Sequence, residues 1–134
     1  MCRIFISTDP AQYDSRTRSV RLHGVVTSIR LENLYWEVLE EIARRDGLGV
    51  VQLIERLYDE LVTERGAVGN FSSFLRVCAL RYESLMARGG IPLDTAVPIR
   101  SLPADEVLSH LPVRGATAQP SAHPPVDARR HSAH

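Results

Sequence analysis

One stretch, residues 17–64, limits what this chain can fold into. It begins Thr-Arg-Ser-Val-Arg-Leu-His-Gly-Val-Val-Thr-Ser-Ile-Arg-Leu, a basic and β-prone ribbon, and continues as two amphipathic segments separated by Asp46-Gly47-Leu48-Gly49. Side chains of a strand alternate between its faces. Arg18, Val20 and Leu22 therefore share one face, and Thr17, Ser19, Arg21 and His23 the other. Past Gly24 the alternation resumes, with Val25, Thr27, Ile29 and Leu31 directed inward and Val26, Ser28 and Arg30 outward. Two conformations fit residues 17–24: an extended arm, or a hairpin closed by a tight His23-Gly24 turn. A lone strand leaves its backbone N–H and C=O groups unpaired. No second long strand follows Leu31, so the simplest partner is the same strand from another copy of the chain.

The two segments after the ribbon have helical periodicity. Glu32 or Asn33 starts the first, whose apolar stripe is Leu31, Tyr35, Val38, Leu39 and Ile42, flanked by Trp36 and Ala43. Glu37, Glu40, Glu41 and Arg44 form its wet face, and Asp46-Gly47 stops it. The second runs from Val50, with Leu53, Ile54, Leu57, Tyr58, Leu61 and Val62 on one side. Asn70 caps a third helix reaching about Arg88, with Phe71, Phe74, Leu75, Cys78, Tyr82, Leu85 and Met86 at helical spacing. One chain of this kind has little core of its own, which again argues for a dimer. Ile29, Leu31, Trp36, Leu39, Ile42, Leu53 and Leu57 are the expected dimer core.

The flanks read differently. Met1 to Ile6 alternates loosely and is expected to be a short strand; Ser7-Thr8-Asp9-Pro10 is turn chemistry, and Ala11 to Arg16 a connector. Beyond Gly89 lie seven of the eight prolines and four of the five histidines. The expected organisation is an N-terminal extension over 1–16, a folded domain over 17–88, and a largely disordered tail over 89–134 with one helical turn between Ser101 and Leu111.

The net charge is zero, but its distribution is polarised. Residues 1–31 hold five Arg against two Asp, whereas residues 32–66 hold four Arg against nine acids. A histone-like, purely charge-driven binder is therefore not expected. Every basic residue is Arg, whose planar fork suits phosphate or guanine. Cys2 and Cys78 form neither a disulfide framework nor a metal pair, and His123, His131 and His134 lie in sequence without a scaffold. No secretion signal or membrane span is legible, so a cytoplasmic location is expected. There is no Gly-rich phosphate loop, no His-Glu-x-x-His and no Cys-x-x-Cys. No enzyme and no cofactor are expected.

The order of these segments resembles the ribbon-helix-helix family, the MetJ/Arc-type DNA-binding dimers. The residues that carry the resemblance are Val26-Thr27-Ser28-Ile29-Arg30-Leu31-Glu32, the helix Leu34 to Arg45, the turn Asp46-Gly47-Leu48 and the helix Val50 to Glu64. The longer phrase through Phe74-Leu75-Arg76 resembles a bacterial subgroup with an added third helix. The resemblance implies a mainly α fold with one β ribbon, a homodimer, and insertion of a two-stranded ribbon into the major groove of double-stranded DNA. It places Val26, Ser28 and Arg30 at base-reading positions, with Arg30 able to bond guanine O6 and N7 and Val26 limited to apolar contact. A basic arm of Arg16, Arg18 and Arg21 would contact phosphates. The start of the second helix, Gly49 and Val50, would clamp phosphate through free N–H groups, although Gly49 supplies no hydroxyl. The implied function is a transcription regulator, most simply a repressor. The competing function is a protein-interaction dimer of the antitoxin or scaffold kind, holding a partner on Glu37, Glu40, Glu41, Glu55, Asp59, Glu60 and Glu64.

Overall fold

The ribbon finds its partner within the chain. In the computed structural model, which describes residues 1–113, Ser15–Leu22 (β1) and Val25–Glu32 (β2) pair antiparallel, from Ser15 opposite Glu32 to Leu22 opposite Val25. His23 (φ 49°) and Gly24 (φ 80°) make the two-residue turn between them. Positive φ at both central residues gives the backbone twist that matches the strands it joins. The hairpin is thus the conformation adopted, and the pairing expected from a second copy is supplied by β1. A partner chain is not needed to satisfy the ribbon's hydrogen bonds.

Before the hairpin stand two short helices, α1 (Cys2–Ile6) and α2 (Pro10–Tyr13). The strand expected over Met1 to Ile6 is absent because no edge pairs with it. Local bonds take its place, with Ile4 N donating to Met1 O at 3.1 Å and Thr8 N to Phe5 O at 3.0 Å. The Asp9 side chain caps α2 by accepting from Ala11 N, and Pro10 occupies the first turn, where no N–H is required. After the hairpin come α3 (Asn33–Arg45), α4 (Val50–Arg65) and α5 (Phe71–Ala87). Helix α3 ends where Gly47 (φ 71°) turns the chain and Leu48 N donates back to Ala43 O at 2.8 Å.

The inward faces of both strands and three helices enclose one core. Val20, Leu22, Ile29 and Leu31 come from the ribbon, Trp36 and Leu39 from α3, Val50 and Ile54 from α4, and Leu75 from α5. Four of the residues assigned to a dimer core are therefore sealed inside a single chain: Leu31, Trp36 and Leu39 are 0% exposed and Ile29 is 3% exposed. The other three, Ile42, Leu53 and Leu57, are half-buried and pack against the same cluster. The β1 strand and the third helix supply the cover that sequence reasoning had assigned to a second copy.

A second cluster corrects the expected tail. Residues 89–113 do not hang free but fold over the far end of α3 and α5. Tyr82, Leu85 and Ile91 are buried with Ile99, Leu102, Val107 and Leu111 around them. A 3-10 turn (Ile99–Ser101) and α6 (Ala104–Leu108) shape the segment. Its anchor is Arg45, 5% exposed. The Arg45 guanidinium donates to the carbonyls of Val97 (3.0 Å), Pro92 (2.9 Å) and Asp94 (3.0 Å), and to the Tyr82 hydroxyl (3.2 Å). Tyr82 in turn donates to Glu41 at 2.6 Å. Burial and the bond to Glu41 push the Tyr82 phenol above its usual range, so it stays a neutral donor. A buried charge is tolerated when its donors are satisfied. The disorder expected over 115–134 lies outside the described residues.

Candidate nucleic-acid interface

The outward face of the hairpin carries eight side chains from two strands, with Ser15 and Glu32 forming the pair at its open end. Thr17 lies opposite Arg30, Ser19 opposite Ser28, and Arg21 opposite Val26, all exposed. Val26, Ser28 and Arg30 thus share one surface, as their alternation predicts. Thr17 and Ser19 join them from β1 and were not among the expected reading residues. The signal was present in the 17/19/21 alternation and in the His23-Gly24 turn, which allow a hairpin as well as an extended arm. Arg21 and Arg30 sit toward opposite ends of the face, about 13 Å apart along the strands at roughly 3.3 Å per residue.

The acids nearby are engaged elsewhere. Glu32 does not pair with Arg30; it accepts from Arg76 Nε at 2.8 Å and Nη2 at 3.4 Å. The Arg76 guanidinium also lies 5.9 Å from the Tyr35 ring centroid, joining α5 to the start of α3. The bond from Arg76 holds the Glu32 carboxyl below its usual value, with a backbone bond and the charges of Arg76 and Arg30 adding to the effect. Among the described residues no hydrogen bond or ion pair engages Arg21 or Arg30.

The lowered Glu32 pKa gives a pH prediction with a definite sign. The contribution of the pair is present above the unfolded-state pKa of about 4.3 and is lost as pH falls through the lower folded value. Glu32→Gln should cost about 0.5–1 kcal/mol at neutral pH, since the pair is partly exposed. Urea titrations across pH should show that gap closing as the pH falls below the usual carboxylate range.

The arginines expected to form an arm divide by face. They lie in β1 against α3 rather than in a flexible arm: Arg16 and Arg18 turn inward, and both donate to Glu40 Oε1, at 3.1 and 3.3 Å. Arg18 also covers the Trp36 ring, 5.3 Å from its centroid. Both are drawn to the one Glu40 carboxylate, which offsets one of their two charges, and Arg21 is left as the outward member of the three. Gly49 precedes α4 as its cap, and its N–H donates to Gln52 Oε1 at 2.9 Å. Val50 turns its side chain into the core. The N–H of Gly49 is therefore occupied, and a phosphate there would have to draw on the amides that follow.

The acidic surface is also partly used. Glu40 holds Arg16 and Arg18, Glu41 accepts from Tyr82, and Asp59 lies 2.8 Å from His23 at the hairpin tip. His23 meets Tyr58 edge-on at 5.1 Å, which ties the turn to α4. Glu37, Glu60 and Glu64 remain exposed. Among the described residues no three His, Cys, Asp or Glu side chains gather as a metal cluster, and no helix is long and apolar enough to cross a membrane.

Comparison with known proteins agrees with this architecture. No curated protein matches the chain. Among solved structures the chain is similar to an uncharacterized protein from Bordetella pertussis Tohama I, with 60% identity and a TM-score of 0.82 over 90% of this chain and 96% of that one. Residues 15–83 match the ribbon-helix-helix domain, from the first strand of the hairpin into the third helix. This chain belongs to the ribbon-helix-helix family.

Proposed function

We propose that the protein is a sequence-specific DNA-binding homodimer, a bacterial transcription regulator that represses by occupying promoter DNA through its ribbon. A ribbon-helix-helix domain points to DNA-binding regulators and antitoxins. The observation that carries the DNA reading is the outward face of the hairpin. Among the described residues it presents Arg21 and Arg30 free of partners, while Arg16 and Arg18, earlier in the same hairpin, are held by Glu40. A two-stranded ribbon fits the major groove, where a bidentate Arg discriminates guanine. Ser28 and Ser19 lie between the two arginines as short donors and acceptors. The partner-holding alternative is weaker because Glu40, Glu41 and Asp59 already have partners within the chain.

Selection from random DNA should yield an inverted repeat, reflecting the two-fold axis of the dimer. Arg30→Ala should weaken binding to that site by about 1–3 kcal/mol per contact and relax the preference at one base in each half-site. Arg21→Ala should weaken all sequences alike and flatten the salt slope by about one unit per lost phosphate contact. Arg16→Ala should leave affinity and slope near wild type. If Arg30→Ala matches wild type on the selected and a scrambled site, the reading role of the ribbon is wrong.

A further inference from the structure

Two apolar surfaces of this chain have no cover among the described residues, and they lie at the two ends of one short segment. The first is α1. Ile4, Phe5 and Ile6 are 74%, 66% and 76% exposed, and no residue of α1 is buried. A helix this short has no stability of its own in water, and apolar side chains in succession gain nothing by facing solvent. The second surface is a groove of about 480 Å³ between α2, the start of α3 and the middle of α5. Tyr13, Leu34, Tyr35, Val38 and Leu80 line it, and Leu80 and Val77 carry the apolar strip outward along α5. Thr8 stands at its rim, so α1 departs from the edge of the groove. The turn Ser7-Thr8-Asp9-Pro10 holds α1 off it, because Thr8 N bonds back to Phe5 O while Asp9 caps the next helix.

We propose that α1 is an exchanged arm. In a pair of copies related by a two-fold axis, Phe5 and its neighbours from each chain pack into the Tyr13–Leu34–Leu80 groove of the other. A two-fold interface needs patch i to meet patch j twice, and this chain carries both patches. Charge agrees: Arg3 is the only charged side chain in residues 1–8, and the groove lining holds two carboxylates, Glu32 and Glu83, and no basic side chain. Glu32 is taken by Arg76, which leaves Glu83 to receive Arg3. The occupant is a second copy because the complementary patch is on the same chain. Cys2 lies on the same side of α1 as Phe5 and Ile6, at i+3 and i+4 spacing, and so faces the groove wall.

Because no residue of α1 is buried, Phe5→Glu should leave the protomer folded. Sedimentation equilibrium of the full chain should give a wild-type dimer. Phe5→Glu and Leu80→Glu should each raise its dissociation constant by about a hundredfold or more, with unchanged far-UV dichroism. In a Cys78→Ser background, Leu80→Cys should form a disulfide with Cys2 of the other copy under mild oxidation. The product is a covalent dimer, and peptide mapping identifies its link between Cys2 and the thiol introduced on α5. Such a link within one chain, or none, overturns the arm. So does a wild-type dimer indifferent to both Glu substitutions, although DNA binding by that dimer would then stand. A monomeric wild type removes both the arm and the dimer. Retained dimerisation with lost site preference removes only the DNA reading.

Discussion

Arg45→Met should unfold at a lower urea midpoint than wild type, with a loss of about 3 kcal/mol or more. The side chain is 5% exposed and holds three backbone carbonyls of residues 92–97 besides the Tyr82 hydroxyl. Hydrogen bonds from a charged donor contribute about 1.5–3 kcal/mol each, and part of that is recovered when the freed carbonyls reach water. The loss should be local before it is global. Residues 90–111 should become susceptible to trypsin at Arg100, which is otherwise held by its own bonds to Asp46, at 2.7 Å from Arg100 Nη1 and 3.2 Å from its backbone N. The ribbon and its core lie in the other cluster and should keep their dichroism. A midpoint within about 1 kcal/mol of wild type, with Arg100 still protected, would mean that the apolar contacts of Ile91, Ile99 and Leu102 hold the segment without the arginine.

Trp36→Ala should cost about 3–5 kcal/mol. The indole is 0% exposed, donates from Nε1 to Arg16 O at 3.0 Å and lies under the Arg18 guanidinium. It therefore joins α3 to the back of β1, and its removal leaves a cavity, an unpaired carbonyl and a ribbon without a floor. Trp36→Phe keeps an aromatic ring but loses the N–H, and should fall between wild type and Ala. Chemical denaturation followed by far-UV dichroism measures all three, since Trp36 is the chain's only tryptophan and its fluorescence is lost on substitution. The Phe variant should also bind DNA less well than its stability alone explains, because the strand carrying Arg21 is positioned through this bond. Equal stability of wild type and Ala would contradict an intrachain core at Trp36.

Much of the fold was legible because it is local. Alternation in 17–31 and the 3.6-residue spacing of 34–64 and 71–87 depend on each segment alone, and so does the glycine that turns α3 at Gly47. The same alternation placed Val26, Ser28 and Arg30 on one outward face, since a strand has only two sides. Pairing was not local. Whether β2 meets β1 or a second copy depends on whether His23 adopts positive φ, and that is decided when the tip docks on Tyr58 and Asp59 of α4. The same holds for charge. Glu32 stands two residues from Arg30 in sequence, yet it is Arg76, 44 residues away, that reaches it. Arg16, Arg18 and Arg21 look alike in sequence, but the inward face delivers the first two to Glu40 and leaves the third in solvent. Arg45 stands at a helix end in the sequence, and only the return of residues 92–97 makes it a buried anchor. Within residues 17–87 the sequence by itself determined the elements and their faces, because backbone geometry and side-chain spacing suffice for those, whereas the helix over Cys2–Ile6 and the folded return of residues 89–113 came from the tertiary structure. The tertiary structure alone decided which charges remain free, because a charge is cancelled by whatever packing brings within a hydrogen bond of it, at any distance along the chain.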